Sequence, residues 1–106
     1  MTDDEAARRS LRLKRINAKG LEVATRLSDL LANKDVTLAD LEGLAELGRS
    51  QKEVRLRAYL DQINAARQRL LDGTLGVCLG CGVPLGDAVL DEQPWIERCS
   101  ACLAHA

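Results

Sequence analysis

Two C-x-x-C pairs, Cys78-Leu79-Gly80-Cys81 and Cys99-Ser100-Ala101-Cys102, hold all four cysteines of the 106-residue chain and stand seventeen residues apart. That spacing lies within the range of a tetrathiolate zinc site. Zn²⁺ closes tetrahedrally on four thiolates, and the short turn inside each pair aims two sulfurs inward, so two pairs complete the shell without water or substrate. A closed shell of this kind is structural. Two disulfides would consume the same residues, but the first twenty residues are highly charged and lack the apolar stretch of a secretory signal. A redox-active C-x-x-C would open a helix in a strand-rich domain, whereas this chain has two pairs and little strand signal. His105, three residues past Cys102, is the alternative ligand that could displace a thiolate from the set.

Hydrophobic residues make up 46% of the chain, yet there is no Phe, one Trp (Trp95) and one Tyr (Tyr59). An apolar content built from Leu and Ala suits helix seams better than a thick globular core. No apolar run approaches the ~20 residues needed to cross a bilayer. Together with free-thiol metal chemistry, this leads to the expectation of a cytoplasmic protein with no membrane association. The overall charge of −1 conceals a segregation. Residues 73–106 carry Asp87, Asp91, Glu92 and Glu97 against Arg98 alone, a net −3 that four thiolates and one Zn²⁺ lower to −5. A module that grips a phosphate backbone needs clustered Lys and Arg, so direct, sequence-specific DNA binding is not expected.

From Asp3 to about Asn33 only Gly20 disfavours a helix, and Leu13, Ile16, Gly20, Val23, Leu27 and Leu30 recur at alternating spacings of three and four. Asn33 to Val36 interrupt the seam, and Thr37-Leu38-Ala39-Asp40 carries a helix-restarting signature. A second helix is therefore predicted from Thr37 to about Asp72, with Gly73 as its stop. A tight fold-back at residues 34–36 would pair Leu30 with Leu41, Leu27 with Leu44, Val23 with Leu47 and Ile16 with Val54, and would set Gly20 near Gly48 and Ser50. It also gathers Arg8, Arg9, Arg12, Lys14, Arg15 and Lys19 beside Arg49, Lys52, Arg55 and Arg57, a cationic collar suited to steering toward an acidic protein surface. Two independent amphipathic helices in a compact bundle is the other arrangement this pattern allows. The expected architecture is mainly α: a long antiparallel two-helix coiled-coil hairpin over residues 1–72, with its tip near 33–37, followed by a small C4 zinc finger over residues 73–106. Within the finger, short strands near Gly82–Leu85 and Ala88–Leu90 are expected to form a β-hairpin, ahead of a short C-terminal helix from about Pro94. Trp95 is expected in the apolar floor beneath the metal.

A long hairpin leading through Gly73-Thr74-Leu75-Gly76-Val77-Cys78 into Cys-Leu-Gly-Cys-Gly-Val-Pro-Leu-Gly resembles the DksA/TraR family of bacterial transcription factors. The gap between the cysteine pairs, the Cys81-Gly82 step, Leu90, and Pro94 five residues before Cys99 all fit that family's C4 pattern. The resemblance implies a monomeric regulator that binds RNA polymerase, its hairpin entering the secondary channel through which nucleotides reach the active site. It also implies an active tip with an Asp-x-x-Asp-x-Ala pattern. By an ungapped count from Cys78 the first aspartate falls on Asp35, the second on Leu38 and the alanine on Asp40, so the pattern is broken, and Asp35 and Asp40 are the tip acids that remain. They are equally well read as a solvated tip with Asp40 capping a helix.

Long members of that family use basic residues near the finger toward guanosine tetraphosphate. The corresponding positions here are Gln62, Gln93 and Leu103, none of them basic, and only four residues follow Cys102 where those members carry a basic helix. Alarmone action is therefore not expected. Arg12, Arg15 and Arg55 are the candidate polymerase-docking residues. No nucleophile–base arrangement, Gly-rich phosphate loop or open metal position points to catalysis. The competing functional readings are a zinc-finger interaction module that docks polymerase or another partner without acting at its active site, and a thiol oxidoreductase.

Overall fold

A computed structural model describes residues 3–34 and 48–104, apart from the side chains of Arg49, Leu103 and Ala104. Helix α1 spans Asp3–Leu31 and α2 spans Arg49–Asp72, and two short helices follow, α3 (Asp87–Glu92) and α4 (Ser100–Ala104). Asp3, Asp4 and Glu5 occupy the first turn of α1, where carboxylates complement the positive end of the helix dipole. The helix ends on a left-handed Asn33 (φ 61°), with Lys34 N–H donating to Asp29 O at 2.9 Å and Asn33 N–H to Leu30 O at 3.2 Å. Gly73 (φ 78°) closes α2 by the same double hydrogen bond, to Arg69 O and Leu70 O. Both stops were legible as residue types able to adopt φ > 0.

The two helices pack antiparallel, as expected, but in a different register. Arg67 Nε donates to Asn17 Oδ1 at 2.7 Å, and a Cβ on Gly20 would stand 3.4 Å from Ile63 Cγ2 and 3.2 Å from the Arg67 guanidinium. Facing positions thus sum to about 84, two heptads from the sum of about 70 that a turn at residues 34–36 requires. Gly20 meets Ile63 rather than Gly48 and Ser50. Val54 is 65% exposed and does not pair with Ile16; the fully buried residues are Ile16 and Val23 from α1 and Leu56, Ile63 and Ala66 from α2. Helix α2 begins at Arg49, after an extended Gly48, and not at Thr37. The remaining predicted partners, Leu41, Leu44 and Leu47, lie outside the described residues, as do residues 35–37 of the predicted tip.

A heptad-like seam looks the same after a shift of seven, so apolar spacing cannot distinguish these registers. What breaks the tie is end-to-end bookkeeping. In the observed register the basal halves of α1 and α2 lie side by side, Arg9 reaches the free carbonyl of Leu71 at 3.1 Å, and the chain exits α2 directly beneath the N-terminal turns of α1. There the finger meets the hairpin. Leu75 and Trp95 pack against the helical core beside Leu13, Tyr59 and Leu60. Gln62 Nε2 donates to Trp95 O at 2.9 Å, and Lys19 Nζ stands 5.5 Å over the Trp95 ring. Trp95 is thus a tie between finger and hairpin.

The expected β-hairpin is not formed. Among the described residues the only β pairing is a single antiparallel bridge, Val77 with Pro84. Proline lacks the N–H a ladder needs, which limits pairing at that point. The predicted strand Ala88–Leu90 is instead inside α3, which buries Leu90 and ends near the buried Pro94. The C-terminal helix exists but starts at Ser100, because Pro94 to Cys99 are held in turns by bonds such as Ile96 N–H to Gln93 O at 3.0 Å.

Candidate metal centre

The first cysteine pair sits on a turn sewn by backbone hydrogen bonds, and the second straddles the start of α4. In the first, Cys78 N–H donates to Val83 O and Gly82 N–H donates back to Cys78 O, both at 2.8 Å. Gly82 makes this reversal with φ 79°, a conformation costly for any residue with a Cβ. Leu79 N–H donates to Glu97 O at 2.7 Å and thereby ties the first turn to the approach of the second, which runs into α4. The result brings the sulfurs of Cys78, Cys81, Cys99 and Cys102 within 4.8 Å of one another. Cys78 Sγ lies 3.6 Å from Cys102 Sγ, and Cys81 Sγ lies 3.7 Å from Cys99 Sγ.

Those distances select among the chemistries the sequence allowed. A disulfide holds its sulfurs at ~2.05 Å, so none is present. Four sulfurs arranged tetrahedrally at ~2.3 Å from one ion would stand about 3.8 Å from each other, close to the spacings found. The hydrogen bonding fits the same use. Cys78 is buried, and its sulfur accepts the N–H of Cys99 at 3.2 Å and of Gly80 at 3.3 Å. The Cys99 N–H above all, with those of Cys81 and Gly80 and against the burial that opposes them, holds the Cys78 thiol down at about 6. Cys102 is pushed up to about 12 by Cys78, Cys81 and Cys99. For Cys81 the N–H of Val83 pulls down, and Cys102 with it, but Cys78, Cys99 and burial together push the thiol up. One thiolate therefore forms readily and opposes ionisation of the rest. A central cation is what allows all four to ionise together. The four cysteines fit a structural metal site. His105, the alternative ligand, lies outside the described residues.

Gly80 reveals how tight the cradle is. A Cβ there would come 3.0 Å from Cys102 Sγ and 3.6 Å from Cys78 Sγ. We expect Gly80→Ala to force the two pairs apart and to weaken metal affinity about tenfold or more, a loss comparable to that from disturbing groups that orient metal ligands. A competition titration against a chromophoric chelator measures it; unchanged affinity would mean the pairs separate at no cost.

The residues singled out away from the cysteines are placed very differently. Asp35 and Asp40 lie outside the described residues. Arg12 is not a free docking cation: its side chain is only 11% exposed, with Nε 2.9 Å from Asp91 and Nη2 3.0 Å from Asp87. Arg8 joins the same two carboxylates at 3.1 and 3.5 Å. The guanidinium of Arg12, then the charge of Arg8, keep the Asp87 carboxyl below the usual carboxylate range. Arg15 is exposed beside a shallow groove that it shares with Ala18, Lys19, Glu22, Glu92 and Trp95. Arg55 is exposed next to Val54, on the far side of the α2 position that meets Asn17. Twelve residues of helix separate Arg55 from Arg67, about 18 Å.

The predicted collar is therefore divided. One cationic group stands at the base, where the finger engages Arg8 and Arg12, and another stands toward the start of α2, where Arg57 pairs with Glu53 at 3.2 Å. Of the positions compared with alarmone contacts, Gln62 is committed to Trp95 O, Gln93 is exposed, and Leu103 contributes its backbone to α4. The residues that sequence reasoning missed are Arg8, Asp87 and Asp91 as a set. Their signal was present: Arg8 and Arg12 are four apart, and so are Asp87 and Asp91, the spacing that aligns two side chains on one helix face. Reading residues 88–90 as a strand hid it. Among the described residues, no helix is long and apolar enough to cross a membrane. No protein-family model matches the chain, and no curated protein matches it.

Proposed function

We propose that this protein is a zinc-stapled helical hairpin that regulates bacterial transcription by binding RNA polymerase in its secondary channel. The observation that carries the reading is the four-thiol cluster mounted at the open end of an antiparallel helix pair. The finger's motif residues resemble the DksA/TraR pattern, and the finger's acidity disfavours the main alternative use of a zinc module in transcription, gripping DNA. Tetrahedral four-sulfur coordination selects zinc or iron, and a redox-inert Zn²⁺ suits a site that serves only to hold the finger closed. The metal would be held by Cys78, Cys81, Cys99 and Cys102, supplying a rigid cross-link and no chemistry of its own. A protein of this kind acts by insertion, so no catalytic group of its own is required.

Arg15 and Arg55 are the docking cations that remain exposed. A reading as an interaction module that occupies a partner without acting at its active site draws support from one specific feature: the departure of Asp35-Val36-Thr37-Leu38-Ala39-Asp40 from the Asp-x-x-Asp-x-Ala pattern. The two readings separate in one experiment. With purified polymerase, the protein is expected to bind and to compete with a known secondary-channel factor. Asp35→Ala with Asp40→Ala is expected to leave affinity within about twofold and to alter initiation, with no added response to guanosine tetraphosphate. Absence of competition sinks the channel assignment. Competition with transcription unchanged by the tip substitutions leaves the docking module.

A further inference from the structure

The most developed polar contact between finger and hairpin is a square of four side chains. Arg8 and Arg12, one turn apart on α1, face Asp87 and Asp91, one turn apart on α3, and each guanidinium reaches both carboxylates at 2.9 to 3.5 Å. A square in which every cation contacts both anions neutralises the charge of that stretch of α1. Around it the chain is strongly basic: Arg8, Arg9, Arg12, Lys14, Arg15 and Lys19 fall within twelve residues. The finger carries four carboxylates against Arg98 alone. Its α3 thus lies on the basic face of α1 as an acidic partner would.

We propose that α3 is an intramolecular mask, an acidic helix that occupies the Arg8 and Arg12 side chains and holds down the affinity of α1 for an acidic protein surface until a partner displaces it. This builds on the proposed docking function, since it takes an acidic protein as the partner. Two features make the mask displaceable. Asp87 is 66% exposed and Arg8 is 49% exposed, so that edge of the square contributes little stability and opens first, while the Arg12–Asp91 pair, at 11% and 33%, is the more enclosed edge. The finger also keeps its position by other means when the square opens, because Trp95 packs on the hairpin core and its carbonyl accepts from Gln62. Opening therefore exchanges one set of carboxylates for another without undoing the fold.

The test uses the full-length, metal-loaded protein and a fluorescent poly-glutamate peptide as an acidic probe at low ionic strength. Asp87→Asn with Asp91→Asn is expected to tighten binding about tenfold, in the range typical of electrostatic steering. The control, Glu92→Gln with Glu97→Gln, makes the same charge change in the finger outside the square and is expected to tighten binding at most about twofold. Arg8→Gln with Arg12→Gln is expected to change little in the wild-type background and to cancel the tenfold gain in the Asp87→Asn, Asp91→Asn background. That non-additivity is the signature of a mask. Equal effects of the two acidic double variants, or equal effects of the arginine variant in both backgrounds, would overturn it, leaving the square as a structural tie. Helical circular dichroism and metal content, measured on each variant, show whether the fold is kept. Should the four-substitution protein fail to fold, the single pair Asp91→Asn with Arg12→Gln gives the same cycle. Because the probe is a peptide, this outcome is independent of whether polymerase is the partner.

Discussion

Removal of metal is expected to unfold the finger and leave the hairpin standing. A strong chelator should release one Zn²⁺ per chain, abolish amide protection over residues 73–104, and leave most of the helical circular dichroism. The asymmetry follows from what each part has besides metal. The hairpin buries Ile16, Val23, Leu56, Ile63 and Ala66 completely, whereas among the described residues of the finger the buried apolar ones are Leu90, Pro94 and Cys78, the last a member of the four-thiol cluster. Structural zinc contributes apparent free energies of about 10–16 kcal/mol in small fingers, far more than Leu90 and Pro94 supply by burial at about 25 cal/mol per Å². Among single substitutions Cys78→Ser should be the most damaging, since Cys78 is 2% exposed and accepts two backbone N–H groups, while Cys81 lies at the surface. Native mass spectrometry for stoichiometry and hydrogen exchange for local order decide it. A protein isolated without metal, or a chelated finger that keeps its protection, would contradict the expectation.

The second large effect tests the register of the hairpin. Leu56→Ala removes a side chain with no exposure and should cost about 3 kcal/mol in urea denaturation, the usual range for a fully buried leucine. Val54→Ala removes one that is 65% exposed and should change stability by less than about 0.5 kcal/mol. A fold-back around residue 35 predicts a substantial cost at Val54, since it places that residue against Ile16. The pair of measurements distinguishes two arrangements that share an identical hydrophobic pattern.

How much of this could be read from the chain varies with the range of the interaction. Helix α1 was legible almost to the residue: acidic N-terminal residues, an unbroken seam and a left-handed Asn33 are all local signals. The stop at Gly73 was equally local. The start of α2 was misplaced because Thr37 to Asp40 carries a genuine capping signature, and nothing nearby announced that Gly48 is extended. Asp87 to Glu92 was misread because six residues between glycine and proline-rich turns show too little periodicity to separate strand from helix. The ion pairing of Arg12 was hidden for a different reason. A cation in a basic run looks free, and its partners lie 75 and 79 residues away.

The sequence by itself determined the helical seam of α1 and which four cysteines come together. Both depend on spacing over a few positions, where a turn of 3.6 residues or a two-residue loop leaves little freedom. Only the tertiary structure decided how those units meet. A heptad seam is degenerate under shifts of seven, so the pairing of Gly20 with Ile63, and not with residues near Gly48, required the whole hairpin to be placed. The square of Arg8, Arg12, Asp87 and Asp91, the seat of Trp95 on the hairpin, and the bond from Gln62 to Trp95 all follow from that placement. They are contacts between helix faces brought together by packing, and no local rule carries information about which distant face will arrive.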